Sequence, residues 1–475
     1  MLLFSICLYL LLNVLIGIWA AKRVKNTSDF LLAGRQLPFY ISTAVVFATW
    51  FGSETVLGAS SEFAEHGLLG VIEDPFGAAL CLVLVGLFFA KKLYRLNLLT
   101  FGDFYRLYFN RTTELVASFF LVISYFGWVA AQMVALGIML NLISGLSITA
   151  GILIGSVAVI IYTYMGGMWS VSITDFLQTI MIIGGLIFVT VVIVQKVPLP
   201  EVLQTVPENF FDFVPAKSVS VTTWLNYFAL WITIGLGSIP QQDVFQRVMS
   251  AKSEKTAVYS SLAAGALYLT IAFLPLLLAL YAKVLYPNLM RGDTQLLLPG
   301  LILHSSSFWV KMLFFGALIS AIISTASGAI LAPAAILSEN IFRPYFSSIS
   351  DKQLLLLSRI CVLLVSVVGL IMALLKSNIY ELVSSSSALS LVSLFVPLVA
   401  GLYSKRLSSV AAICSMVAGM AVWLLALWLE TTVNPLLYGL GASIVGWGIG
   451  LLWPSASSAK PAVATTSEEY SLPNR

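Results

Sequence analysis

Residues 316 to 330, GALISAIISTASGAI, carry hydroxyl side chains within an otherwise apolar stretch. Ala321, Ser324 and Thr325 stand at positions i, i+3 and i+4, so a helix would bring two hydroxyl oxygens and one backbone carbonyl to the same face. Neutral oxygens of this kind are the ligands that a small hard cation such as Na⁺ prefers. Serine and threonine in apolar helices also donate to their own i−4 carbonyls, and on spacing alone this second interpretation is the more common one.

Carboxylates stand in similarly apolar surroundings. Glu54 lies in ATWFGSETVLGASS, Glu73 and Asp74 are adjacent in VIEDPF, and Asp175 follows a threonine in SVSITDFLQ. A carboxylate inside a membrane must be paired or hydrated, and it marks a solute site or an ion route by default. Without a partner it binds a proton instead, so Glu54, Glu73 or Asp74 could carry protons.

The composition indicates that these residues lie in a membrane protein. The chain has 475 residues, of which 59% are hydrophobic and 10% are charged, whereas soluble proteins have about 25% charged residues. Its mean hydropathy is +0.98. The net charge is only +4, with no basic stripe or tail. We therefore expect the lipid bilayer to be its environment, with no nucleic acid bound and no protein partner evident.

Catalytic and metal-binding motifs are missing from the sequence. The four cysteines stand singly in apolar runs, and the two histidines, His66 and His304, are far apart. Zinc sites and redox motifs need such residues at close spacing. Since the chain also has no phosphate loop or nucleophile triad, we expect it not to be an enzyme.

The apolar stretches predict about thirteen transmembrane helices, since about 20 mostly apolar residues cross a bilayer. The first of them ends before a basic loop and is expected to be a retained helix rather than a signal peptide. Their approximate limits are 2–20, 38–65, 67–90, 113–145, 147–165, 170–196, 221–239, 256–284, 307–341, 353–375, 379–402, 406–428 and 434–453.

Ten of these spans divide into two halves of five around a polar loop at 197–220. The opening helix of each half is interrupted, by TWFGSET at 49–55 and by GLGSIPQQD at 235–243, where glycine and proline weaken a helix. Interrupted helices at matching positions of two halves indicate the substrate site of an inverted-repeat transporter. The glycines could instead serve only close helix packing.

The distribution of lysine and arginine predicts the orientation. These residues concentrate in alternate loops, which stay cytoplasmic, so we expect the N-terminus outside and the C-terminus inside a plasma membrane, the inner membrane in a bacterium. The expected domains are a first transmembrane helix with a cytoplasmic loop (1–37), a first inverted repeat (38–196), an external loop (197–220), a second inverted repeat (221–402), two additional transmembrane helices (403–453) and a disordered cytoplasmic tail (454–475).

Four motifs resemble those of the solute:sodium symporter family. MGGMWSVSITDFLQ (165–178) resembles its GG and TDxxQ signature, and IPQQDVFQRVMSAKS (239–253) the segment after the second broken helix. TSDFLLAGRQLP (27–38) resembles the loop before the first broken helix, and SAIISTASGAI (320–330) the sodium-binding helix. The resemblance covers nearly all of residues 5–450. It implies an all-α polytopic membrane protein with a LeuT-type five-plus-five inverted repeat, which imports a small solute with Na⁺ by alternating access.

The resemblance also implies the sodium ligands. The matching positions are the carbonyls of Ala48 and Phe51 in the first broken helix, the carbonyl of Ala321, and the hydroxyls of Ser324 and Thr325.

Asp175 matches an acidic residue near the sodium route in the family. We expect a second Na⁺ site or an exit route for the ion beside Asp175 and Ser327. A structural hydrogen bond at a helix start is the alternative role for Asp175.

The solute site is expected between the two breaks and the third and fourth spans. Its aromatic and acidic residues suit an organic ammonium, and ATW at 48–50 resembles the choline-carrier branch. That branch has an aromatic residue in place of Gln241 and glycine in place of Glu54, so proline or other amino acids remain open. The aromatic residues could also be ordinary packing residues. The candidate substrate-binding residues are Trp50, Glu54, Thr55, Asp74, Trp128, Gln132, Trp231 and Gln241.

Two other functions fit the same sequence. A proton-coupled carrier would use Glu54, Glu73 or Asp74, although the intact hydroxyl pair favours Na⁺. A transporter-like sensor would need a separate partner protein, because we see no signalling domain after the last span.

Overall fold

The computed structural model describes residues 2–216, 220–305, 307–346, 348–375 and 378–453. Over these residues the secondary structure is helical, without a β-strand, which confirms the all-α fold. The tail predicted to be disordered, 454–475, lies outside the described residues.

The first part of the chain contains nine helices, which include the opening helix of the first repeat and the long helices that surround it. Their bounds are α1 Leu2–Ala21, α2 Thr27–Leu32, α3 Phe39–Trp50, α4 Ala59–His66, α5 Ala78–Leu84, α6 Ala90–Tyr94, α7 Phe101–Tyr108, α8 Arg111–Ser144 and α9 Ile148–Val194.

The second part contains eleven more helices. The predicted polar loop at 197–220 is not structureless, since it includes α10 and the 3₁₀ turn Glu208–Phe211. The bounds are α10 Leu199–Leu203, α11 Val221–Gly237, α12 Gln242–Ser250, α13 Glu254–Leu285, α14 Leu297–Ser305, α15 Phe308–Ile336, α16 Asp351–Leu375, α17 Ile379–Ser390, α18 Val396–Tyr403, α19 Ser409–Trp428 and α20 Pro435–Gly450.

Nine helical stretches in the described part of the chain are long and apolar enough to cross a membrane. Four shorter apolar helices accompany them: Leu11–Ala21, Phe39–Trp50, Thr294–His304 and Pro435–Gly450. The chain is therefore a multi-pass membrane protein, and the count of thirteen spans stays a prediction.

The first predicted interruption is present. Helix α3 ends at Trp50 because Phe51 leaves the helical region, with φ −90° and ψ 78°. Helical structure resumes at Glu54 as the π-helical turn Glu54–Gly58, which continues into α4.

The second interruption is also present. Helix α11 ends at Gly237, and α12 begins at Gln242 after Gln241 adopts an extended conformation, with φ −80° and ψ 145°. Pro240 lies between the two helices and has no backbone N–H to continue a helical ladder. Both matched breaks are confirmed.

The two broken helices are hydrogen-bonded to each other at one end. Leu37, just before α3, donates its backbone N–H to the Ser250 carbonyl at 3.1 Å, and its own carbonyl accepts from Lys252 N at 2.9 Å. The beginning of the first broken helix is thus hydrogen-bonded to the end of the second.

Helix α15 lies at the centre of the bundle and packs on α3, α8 and α9. Every residue from Phe314 to Ile336 is buried. A helix enclosed by protein on all sides can keep polar side chains at membrane depth, because neighbouring helices rather than lipid surround them.

The two spans predicted at 147–165 and 170–196 are separated by a break in α9. At Gly167 φ is 50° and ψ is −153°, which is not helical, and the run divides there into the membrane-spanning stretches Ile148–Met165 and Gly167–Val194. A Cβ atom at Gly167 would lie 2.4 Å from the Phe30 ring and 2.6 Å from the Phe30 carbonyl oxygen. Only glycine fits this position, since both the positive φ and the close approach exclude a side chain.

Replacing Gly167 with alanine should therefore destabilise the protein by about 2 kcal/mol or more, through strain and overpacking. The measurement is the thermal unfolding midpoint of the purified protein in detergent. Gly184→Ala on the same helix is the matched control, because a Cβ there meets nothing within 4 Å. Equal midpoints for the two variants would contradict the kink geometry.

Candidate functional site

The Ala48 carbonyl at the end of α3 joins the first break to α15. It accepts hydrogen bonds from Ser324 Oγ at 3.0 Å and from Thr325 Oγ1 at 3.2 Å. Both hydroxyls therefore point away from their own helix, rather than only back to their i−4 carbonyls. Three of the five predicted sodium-ligand oxygens come together here.

The backbone of the break passes directly against Thr325. A Cβ at Gly52 would lie 2.7 Å from Thr325 Oγ1 and 2.5 Å from Glu54 Oε2, so this close approach requires glycine. Phe51, whose ψ of 78° turns its carbonyl out of the helical direction, precedes it. Ala321 is buried one turn before Thr325 on α15.

Asp175 contacts the same hydroxyl group. Its Oδ1 lies 2.6 Å from Ser324 Oγ, whose one hydroxyl proton is shared between this oxygen and the Ala48 carbonyl. Its Oδ2 is buried without a hydrogen-bond partner among the described residues. Ser327 donates instead to the Ile323 carbonyl at 2.7 Å. The structure thus brings Asp175 to Ser324 and leaves the Ser327 hydroxyl on its own helix.

A small cavity lies between the two breaks. Of the eight predicted substrate-binding residues, Trp50, Glu54, Asp74, Trp128 and Gln241 line it. The other lining residues are Ala78, Ile234, Ser238, Tyr268, Val383 and Ser387.

Glu54 lies on the wall of this cavity. Its Oε2 accepts from Gln132 Nε2 at 2.7 Å and its Oε1 from Trp128 Nε1 at 3.4 Å. Gln132 Oε1 in turn accepts from the backbone N–H of Ser53 at 3.2 Å. Gln132 is therefore a support for the break and its carboxylate, and it is not itself in the cavity lining.

Asp74 belongs to a second hydrogen-bonded group. Its Oδ1 accepts from Tyr268 OH at 2.6 Å, and the same hydroxyl lies 2.5 Å from Thr55 Oγ1. One oxygen each of Asp74 and of neighbouring Glu73 is buried with no hydrogen-bond partner in the part of the chain described. Among the described residues that line the cavity, the charged side chains are the carboxylates of Glu54 and Asp74.

Two indole rings flank the cavity. Trp50 and Trp128 have ring centroids 6.4 Å apart and an interplanar angle of 82°. Trp50 Nε1 donates to Asp243 Oδ2 at 3.2 Å, which fixes the ring against α12. Trp231 lies elsewhere, in an aromatic cluster with Phe76 and Phe213.

Tyr268 and Asp243 are among the residues of the site that the sequence analysis missed. Tyr268 stands in an apolar stretch that predicts only a membrane span, so the sequence gives no signal for it. Asp243 does stand in the quoted motif IPQQDVFQRVMSAKS, as a charge inside a broken helix, and that signal could have identified it. In the structure it holds Trp50 and accepts a hydrogen bond from Tyr125 OH.

Helices broken at matched positions around a small central cavity define a membrane transporter with the LeuT-type fold. The chain belongs to the sodium:solute symporter family, whose model matches residues 30–419. Because the family and its relatives are transporters, the expectation that the protein is not an enzyme is confirmed.

Two curated relatives illustrate the family. The chain is 30% identical over 448 residues to the high affinity choline transporter 1 of Homo sapiens, covering 88% of this chain and 75% of the relative. It is 27% identical over 474 residues to the high-affinity proline transporter PutP of Bacillus subtilis, covering 96% and 98%.

Two solved structures share the fold. One is the substrate-bound, outward-open state of a Na⁺-coupled sialic acid symporter, with a TM-score of 0.83, 20% identity, and coverage of 96% of this chain and 98% of that chain. The other is MhsT in complex with L-phenylalanine, with a TM-score of 0.55, 14% identity, and coverage of 87% and 97%.

Tyr268→Phe should leave Asp74 Oδ1 and Thr55 without the hydroxyl that lies between them. The expected loss of stability is about 1–3 kcal/mol, the range for a buried polar group deprived of its partner. It would be measured as a lower thermal unfolding midpoint. Tyr259→Phe on the same helix, where the side chain is 60% exposed, should leave the midpoint unchanged; similar effects of both changes would contradict this network.

Proposed function

We propose that this protein is a symporter that uses the inward Na⁺ gradient to import a small organic ammonium solute. The observation that carries this proposal is the pairing of two sites on one broken helix. The carbonyl of Ala48 lies at the two hydroxyls of α15, and six residues later Glu54 lies on the wall of the cavity.

For the sodium site, we propose Ala48, Phe51, Ala321, Ser324 and Thr325 as ligands. Their oxygens are neutral, which suits a monovalent hard cation. The contacts of Ser324 and Thr325 with the Ala48 carbonyl support the proposal, because a cation between these groups would replace hydrogen bonds that already converge. Family membership supports Na⁺ as the coupling ion.

For the solute, the acidic cavity favours a cation. Glu54 and Asp74 supply negative charge, and the faces of Trp50 and Trp128 can attract an ammonium group. Relatives named as choline and proline transporters both carry nitrogen-containing solutes. We propose choline or betaine as the first candidates, with an amino acid bound through Gln241 as the alternative.

Coupling follows from the shared break. Na⁺ at Ala48 and Phe51 would fix the backbone that positions Trp50 and Glu54, so ion binding would shape the solute site. The two halves of the bundle would then rock to expose the sites to the other side. Each charge moved inward contributes about 2.3 kcal/mol per 100 mV of membrane potential.

We also propose the topology that the basic loops indicate: thirteen spans with the N-terminus outside and the C-terminus inside the plasma membrane, and repeats at 38–196 and 221–402. The second ion site beside Asp175 is part of this proposal. The contact of Asp175 with Ser324 supports a route for Na⁺ from the first site, since the carboxylate already touches one of its ligands.

Uptake into proteoliposomes tests the function. Radiolabelled choline, betaine and proline would be offered with an inward Na⁺ gradient, to the unchanged protein and to Ser324→Ala/Thr325→Ala. We expect Na⁺-dependent accumulation that falls about tenfold or more in the double variant, because two ligand hydroxyls are lost. Ser366→Ala is the control, because that hydroxyl only donates to the Val362 carbonyl on its own helix.

Accumulation that follows a proton gradient and survives the double substitution would contradict the sodium site. The buried carboxylates of Glu54, Glu73 and Asp74 specifically favour proton coupling as the second candidate function. Glu54→Gln and Asp74→Asn would then be the variants that abolish uptake. Accumulation of proline alone would retain the symporter and exclude the organic-ammonium solute.

A further inference from the structure

Arg247 on α12 carries a guanidinium group inside the protein, only 3% exposed. Its Nε donates to Thr49 Oγ1 at 3.0 Å and its Nη1 to Gln246 Oε1 at 3.3 Å. Its Nη2 has no hydrogen-bond partner, and Arg247 forms no ion pair with any carboxylate of the described chain. A buried cation held only by neutral groups is costly and points to a function.

The guanidinium lies close to the proposed sodium site on two sides. Thr49, which holds it, follows Ala48 directly. On α15, a Cβ at Gly328 would come within 2.5 Å of Arg247 Nη2, so the guanidinium packs on the helix surface at Gly328. Gly328 is four residues after Ser324, or about 5–6 Å along the helix.

Asp175, which contacts Ser324, is a buried anion with one oxygen that lacks a partner among the described residues. It is completely buried, and only one of its two oxygens is hydrogen-bonded, to the Ser324 hydroxyl. The guanidinium at Gly328 and this carboxylate at Ser324 therefore contact α15 one turn apart, and they form no ion pair with each other in the described chain.

One more carboxylate completes this group of charges. Asp243 stands one turn before Arg247 on α12, and its two oxygens accept from Tyr125 OH and Trp50 Nε1. Two carboxylates and one guanidinium are therefore buried in this part of the protein. A bound Na⁺ would bring the sum of these buried charges to zero. Its departure would leave the group with one excess negative charge.

We propose that Arg247 is a tethered cation that competes with Na⁺ for Asp175. This inference rests on the proposed sodium site. With Na⁺ bound, Arg247 stays on Thr49; when Na⁺ leaves, the guanidinium moves toward Asp175 and neutralises it. Asp175 then has a counter-charge while the carrier reorients, and Asp243 keeps its hydrogen bonds from Tyr125 OH and Trp50 Nε1. Arg247 is thus a positioning residue for ion release.

The test measures Na⁺ binding without any solute. Purified protein is unfolded thermally at increasing NaCl, with KCl added to keep the ionic strength constant, and the Na⁺ concentration for half of the stabilisation is recorded. Arg247→Gln removes the competitor, so this concentration should fall by about fivefold or more, the scale of a typical coupling between sites. Arg247→Lys keeps the charge and should stay within about twofold of the unchanged protein.

A double-variant cycle makes the test specific for competition at Asp175. In an Asp175→Asn background the Arg247→Gln change should have no effect on the half-stabilising concentration, because there is no carboxylate left to compete for. The same decrease in both backgrounds would overturn the proposal. Arg95→Gln is the control for losing an arginine, since that side chain pairs with Glu254 at the surface.

Thr49→Val provides a second test of the proposal, which remains informative if Arg247→Gln does not fold. It keeps the side-chain shape but removes the oxygen that holds Nε, so the freed guanidinium should compete more strongly and raise the half-stabilising Na⁺ concentration. Shifts of opposite sign in the two variants support the tethered cation. No shift in Thr49→Val, or an increase in Arg247→Gln, overturns it.

If Na⁺ does not specifically stabilise the unsubstituted protein, the proposed sodium site and this proposal are both overturned. Normal Na⁺ stabilisation with unshifted variants would overturn only the role of Arg247.

Discussion

The structure depends on one interrupted stretch of backbone, Phe51 to Ser53, held against α15 inside the membrane. Backbone groups released from a helix at this depth have no water to bond and must be satisfied by protein or by an ion. Gly52 permits the contact because any side chain would collide with Thr325 and Glu54. The hydroxyls of α15 reach Ala48 on one side of the break, and Gln132 reaches Ser53 on the other. The geometry of the proposed ion and solute sites therefore follows from a single packing constraint.

A second constraint is electrostatic. Glu54, Glu73 and Asp74 are buried around a cavity that no basic residue lines, whereas the buried guanidinium of Arg247 lies beside Thr49 and Gly328, near the hydroxyls of α15. Buried charges are stable only when they are paired, neutralised or held by hydrogen bonds. In our proposal, a positively charged solute offsets the carboxylates of the cavity, and Na⁺ offsets the net negative charge of the group around Asp175 and Arg247.

Periodicity and composition predicted the helices, the two breaks and the hydroxyl pair, because these features come from local sequence: long apolar runs, glycine and proline at a fixed place, and i, i+3, i+4 spacing. The sequence did not predict that Tyr268 would join Thr55 to Asp74, since a tyrosine within an apolar span has no distinguishing neighbours. It placed Trp231 near the cavity, whereas its ring packs with Phe76 and Phe213. Whether such a side chain faces the cavity depends on the rotation of its helix about the helix axis, and tertiary packing sets that rotation. The predicted boundary between the spans at 147–165 and 170–196 is present, because the backbone angles of Gly167 are not helical there.

Equilibrium binding of radioactive sodium to the purified protein in lipid nanodiscs tests the central claim, that the first break and α15 together form a Na⁺ site. The predicted result is saturable binding that unlabelled Na⁺ displaces and K⁺ does not, and that disappears when Ser324 and Thr325 are both alanine. Binding that does not saturate, or that K⁺ displaces equally well, or that the double substitution leaves intact, would contradict it.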